Sequence, residues 1–166
     1  MQNNCLLENE NSIIRILDVQ HEQVFIIDCI NLTMPKWIPS EQIRSFTSCA
    51  METLSEKTGV KILNMEDLNK KEVKFVREHF TFIASILPFV TDQKKRNEII
   101  NQISEERKVS KTTIRKYLCL YLAYQDMSVF APKKKLKKTD LSQDEKNMRW
   151  ALNKFYYTRN KNSLNT

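Results

Sequence analysis

Apolar residues along this chain change their rhythm several times. Over residues 13–31 they come in two dense runs, IIRILDV and VFIIDCI, either side of the polar Gln20-His21-Glu22-Gln23. β-Branched and aromatic runs around a short polar stretch predict a β-hairpin. Pro35 and Pro39 then bracket a short extended piece, and Ser40 is placed to cap a helix. Ile43, Phe46, Ala50 and Leu54 follow at helical spacing, so a helix is expected over 41–57. Gly59 stands where a left-handed C-cap is wanted. VKIL, 60–63, reads as a short strand. Residues 1–66 are therefore expected to form a small α+β unit.

From there the rhythm is helical. Val73, Val76, Phe80, Ile83 and Leu87 alternate steps of three and four and predict a helix from about Asp67 to Leu87. Phe75, Phe82 and Ile86 add a second apolar stripe, read as core, and Pro88 stops the helix. Residues 91–124 predict helix, tight turn, helix. Thr91 or Asp92 caps the first, with Ile99, Ile100 and Ile103 on its buried side. RKVS makes the turn with Val109 as an apolar plug, although Lys108 sits where a glycine is often found. Ser110 caps the second helix, which buries Ile114, Tyr117, Leu118 and Tyr121. Residues 67–131 thus predict a three-helix domain of helix-turn-helix type. PKKKLKK follows, giving a basic linker over 132–139. Ser142 with Glu145 forms a capping-box pattern, so 140–166 reads as the start of a second helical domain, with a helix over 143–157. The expected fold class is mainly α with a small N-terminal α+β unit.

Charge sharpens this division. Residues 1–90 hold 9 Lys/Arg against 12 Asp/Glu, whereas residues 91–166 hold 18 against 8. The whole excess of the net +7 lies in the second half, and a polyanion such as nucleic acid is the first partner to expect. Four cysteines, Cys5, Cys29, Cys49 and Cys119, form no CxxC pair and no spaced cluster with His21 and His79, which argues against zinc and disulfides. The apolar runs are too short for a bilayer and no signal peptide opens the chain, so a soluble intracellular protein without membrane contact is expected. With Gly59 as its one glycine, the sequence has no phosphate-cradling loop.

The candidate chemistry is concentrated in EERKVSKTTIRKYLCLYLAY, 105–124. With Ser110 as N-cap, Lys111, Thr112, Thr113, Arg115 and Lys116 fall in the first turn and a half of the second helix, and all six are candidate DNA-binding residues. The pairs Lys111/Arg115 and Thr112/Lys116 each share a stripe. In helix-turn-helix docking these turns meet base edges in the major groove. Arginine suits guanine, and threonine offers a methyl to thymine or a hydroxyl to phosphate. Lys94, Lys95, Arg96 and Lys108 are expected on phosphate, with Lys133, Lys134, Lys135, Lys137 and Lys138 of the linker. The bland alternative is a solvated basic face on a helical hairpin. The lysine run reads first as a phosphate-tracking linker, with a solvated linker and then a nuclear localisation signal as the alternatives. Arg149, Lys154, Arg159 and Lys161 extend the positive surface, while Trp150, Phe155 and Tyr157 read as core. Asp18 and Asp28 have no metal-type partners, and no nucleophile–base pair stands out, so no catalytic residue or cofactor is assigned.

These residues resemble the N-terminal DNA-binding region of TnsB-type transposases, relatives of the Mu and retroviral-integrase-like group. The resemblance rests on Ile86-Leu87-Pro88, Lys108-Val109-Ser110-Lys111-Thr112-Thr113-Ile114 and the aromatic-rich Tyr117 to Tyr124. The hairpin and the segment from Leu141 are similar too, whereas QDMSVFAP after Tyr124 departs from the family. The resemblance implies sequence-specific double-stranded DNA binding at transposon ends by a bacterial, cytoplasmic, nucleoid-associated protein that works with other transposition proteins. The magnesium-dependent catalytic core would lie beyond residue 166, leaving a non-enzymatic portion here. Two other functions fit the same residues. One is a helix-turn-helix transcriptional regulator. The other is a protein-interaction module whose 73–87 stripe is a partner groove.

Overall fold

A computed structural model of the chain describes residues 3–133 together with Asn147. Five short strands form one antiparallel sheet: β1 (Leu6–Glu8), β2 (Ile13–Gln20), β3 (Gln23–Asp28), β4 (Lys36–Pro39) and β5 (Thr47–Ser48), in the order β4-β3-β2-β1-β5. Among the described residues four α-helices follow: α1 (Met51–Thr58), α2 (Lys70–Ala84), α3 (Gln93–Arg107) and α4 (Lys111–Tyr124). With short 3-10 turns they make about half of the described residues helical.

The expected hairpin is β2–β3, paired from Gln20↔Gln23 to Ile14↔Asp28 with a bulge between Ile16 and Asp18. Its strands are apolar at both parities because both faces are covered. Ile13 and Ile27 join the helices, while Ile14, Ile16, Val24 and Ile26 pack on the far side with Ile43. The proline-bracketed piece is β4, paired with β3. β1, which the pattern did not single out, pairs with both β2 and β5.

Two expected elements are replaced. The helix over 41–57 is instead a 3-10 turn at Ser40–Ile43, strand β5 and the short α1. The helical spacing was shared between two cores. Ile43, with Phe46 against it, fills the outer side of the sheet, and Leu54 fills the side facing the helices. Ser40 accordingly lies inside the 3-10 turn, not at a helix N-cap. VKIL is no strand. Val60 and Ile62 turn inward against the core, while Leu63 N–H donates to Ser128 Oγ at 3.0 Å instead of to a neighbouring strand. Gly59 does close α1 in the left-handed region, at φ 68°.

The long helix is shorter than its apolar stripe. Asn69 opens α2 with a capping box to Glu72, and the helix ends at Ala84 ahead of a 3-10 turn at Leu87–Phe89 that holds Pro88. Val76, Ile83 and Ile86 are fully buried, while Phe75 is exposed. Fully burying one such aliphatic side chain is worth roughly 1.5–3 kcal/mol. They share one core with Leu6, Ile13, Ile27 and Leu54, and with Ile100, Ile114, Leu118 and Leu122. Residues 1–66 are therefore not separate from 67–131. Met1–Pro132 form one compact unit, and Lys133–Thr166 form another. The expected linker beyond Lys133 and the expected second helical domain, with its helix over 143–157, lie outside the described residues except for Asn147.

Candidate nucleic-acid interface

Local signals set the helix pair. Asp92 caps α3, its Oδ1 accepting the N–H groups of Lys94 and Lys95 at 3.1 Å each. The helix ends at Lys108, which adopts φ 53° and ψ 38°. That is the left-handed conformation a glycine takes without steric cost. Val109 then turns in against the core. Ser110 caps α4: its Oγ accepts Thr113 N–H at 3.1 Å and lies 2.8 Å from Thr113 Oγ1. Between two 14- to 15-residue helices there is thus a turn of three residues, Lys108 to Ser110.

The first turns of α4 sort as the sequence pattern implied. Lys111, Thr112, Arg115 and Lys116 are exposed and Thr113 is half-buried. Ile114 and Leu118 are fully buried beneath them. Tyr117 and Tyr121 are half-buried and held by rings of α2: Tyr117 meets His79 edge-on at 4.9 Å, and Tyr121 meets Phe80 at 5.3 Å. Further along, Tyr124 Oη lies 2.6 Å from Thr58 Oγ1, fastening α4 to α1. The charged end of α4 therefore stands on a packed support, a condition for placing side chains against base edges.

Around it the residues expected on phosphate divide. Lys94, Lys95 and Lys108 are exposed, and Lys95 Nζ sits 5.5 Å from the centre of the Phe89 ring. Arg107, beside Lys108, is also exposed. The turn pattern RKVS does not single it out, although the Arg107-Lys108 doublet is visible in the sequence. Lys133 is exposed, and Lys134, Lys135, Lys137 and Lys138 lie outside the described residues.

Arg96 departs from expectation. It is only 5% exposed, because it precedes Ile100 and Ile103 by one and two helical turns and shares their buried stripe. Its Nη1 donates to the Val90 carbonyl at 2.6 Å, while its Nε is enclosed with no hydrogen-bond partner. Burial lowers its pKa, reinforced by the nearby Arg115 and opposed by Cys119 and Asp92. The exposed basic surface is therefore built from lysines, Arg107 and Arg115, with Arg96 behind it.

Cys29 and Cys119 are buried thiols, pushed up to about 12 and about 11 by desolvation. Such thiols are poor nucleophiles and poor metal ligands near neutrality. Among the described residues no three His, Cys, Asp or Glu side chains come together as a metal group, and no helix is long and apolar enough to cross a membrane. Neither the protein-family models nor the curated proteins contain a match to this chain.

Proposed function

We propose that the chain binds double-stranded DNA with a sequence preference, using α3, the turn at Lys108–Ser110 and α4 as a helix-turn-helix. One observation carries this reading: the first turns of α4 expose Lys111, Thr112, Arg115 and Lys116 while Ile114 and Leu118 anchor the same turns in the core. A recognition helix needs that pairing of an exposed polar tip with a fixed base. Exposed Lys94, Lys95 and Lys108 flank it in sequence at the ends of α3 and suit backbone phosphates. The resemblance to TnsB-type transposases supports transposon ends as the DNA target and other transposition proteins as partners.

The test is duplex binding across a salt series, with a transposon-end duplex and a scrambled duplex of equal length. Neutralising about six phosphates gives a log–log salt slope of roughly −5. Lys111→Ala/Thr112→Ala/Arg115→Ala should abolish the preference and most of the affinity. Equal affinity for both duplexes removes the claim about ends. No binding at low salt removes the DNA claim. A two-fold complex on a palindrome would instead indicate a transcriptional regulator.

A further inference from the structure

Arg96 brings a guanidinium into the joint between α3 and α4, where Asp92 favours its charge through space but makes no ion pair with it. None of the ion pairs among the described residues includes it. Of its nitrogens, Nη1 has one carbonyl partner and Nε is enclosed and unpartnered. Nη2 has no hydrogen-bond partner and is not fully enclosed. Asp92, one turn earlier, has its Oδ1 occupied by the N–H groups of Lys94 and Lys95. Arg115, exposed on α4, is close enough to repel Arg96.

A buried cation with this few partners weakens a fold. An apolar side chain of similar length often does as well or better, because it avoids desolvating the charge. The structural return is small: one hydrogen bond to the half-buried Val90. A charge held at such a cost is accounted for when a ligand supplies the missing partner.

We propose that Arg96 is a phosphate site built into the α3–α4 joint, and that a DNA backbone phosphate reaching Nη2 completes it. This rests on the duplex-binding reading above and adds to it. The exposed lysines contribute charge at the surface, whereas Arg96 couples phosphate binding to the stability of the joint that carries Arg115.

The experiment compares wild type, Arg96→Met, Arg96→Lys and Lys94→Ala in thermal melting and in duplex binding across salt. Arg96→Met should melt at or above wild type when no DNA is present, bind the duplex about tenfold more weakly, and show a salt slope shallower by roughly 0.9. Duplex should raise its melting temperature less than it raises that of wild type. Arg96→Lys should keep the slope, and Lys94→Ala should lose slope without changing the melting of the protein alone. An Arg96→Met protein that is less stable than wild type, or that binds with unchanged affinity and slope, overturns the proposal. Stabilisation by inorganic phosphate equal to that by duplex would overturn the assignment to DNA. Failure of wild type to bind any duplex would instead remove the DNA-binding reading itself.

Discussion

Arg15 Nε donates to the Ala123 carbonyl at 2.7 Å, joining strand β2 to the last turn of α4 across 108 residues of sequence. The same guanidinium donates from Nη1 to the Asn4 carbonyl at 2.6 Å. A cation placed on the terminal carbonyls of a helix also complements its dipole. The N-terminal sheet is thereby a support for the helix whose other end is exposed.

Arg15 is as buried as Arg96, at 5% exposure, yet the opposite mutational outcome is expected. Arg15 makes two charge-assisted hydrogen bonds to carbonyls and a longer one to Met51 Sδ, where Arg96 makes one and leaves Nε unpaired. Arg15→Met should lower stability by roughly 3 kcal/mol, at about 1.5–3 kcal/mol for each hydrogen bond to a charged group. Urea unfolding measures the loss. Hydrogen exchange should accelerate first at the C-terminal amides of α4.

Lys108 can be separated into its backbone and its charge. In the left-handed region a residue with a Cβ costs about 1 kcal/mol that glycine avoids. Lys108→Gly should therefore raise stability by about 1 kcal/mol, read by denaturant melts, although glycine's larger unfolded-state entropy offsets part of that gain. If the lysine meets a phosphate, the same variant should flatten the salt slope by roughly 0.9. Gain in stability with loss of binding would set the residue apart from a neutral turn position.

Ser110 should matter to the helix more than to DNA. Its Oγ is committed to Thr113 N–H and Thr113 Oγ1. Ser110→Ala removes the cap and should cost about 1 kcal/mol. Ser110→Asp keeps an acceptor there, so it should restore stability. It also places a negative charge beside Lys111 and should weaken duplex binding, which an electrophoretic shift assay would show.

The buried thiols give the fold an alkaline limit. Cys29 and Cys119 are raised by burial to about 12 and about 11, above the ordinary thiol value of 9.0. Below pH 9 both are protonated in folded and unfolded chains and cost nothing. Above it the unfolded chain loses its thiol protons while the folded chain keeps them, so stability falls as pH rises through the window from 9 to about 11–12. Each thiol contributes a slope of about 1.4 kcal/mol per pH unit within its window. Cys29→Ala/Cys119→Ala should flatten the decline in stability between pH 9 and 11, measured by urea unfolding. A thiol reagent at neutral pH should modify the half-buried Cys5 and Cys49 well before these two.

Much of the helix pair was legible in the sequence because its signals are local. Asp92, the Lys108–Ser110 turn and the apolar positions Ile100, Ile103, Ile114 and Leu118 each need only residues within a turn or two to be read. The hairpin and the Gly59 cap were readable for the same reason. What lay out of reach was which surface each apolar or charged side chain would meet. Ile43 and Leu54 have helical spacing but belong to opposite sides of a sheet. Val60 and Ile62 alternate like a strand but have no strand to pair with. Arg96 sits in a Lys-Lys-Arg run that reads as surface, and only its phase with Ile100 and Ile103, against a helix packed across it, turned it inward. The core between sheet and helices and the tie from Arg15 to Ala123 join segments up to 108 residues apart. Capping and turn chemistry depend on near neighbours and so are written in the sequence itself. Burial, and with it the fate of every partly apolar or charged side chain, depends on what distant chain arrives to cover it.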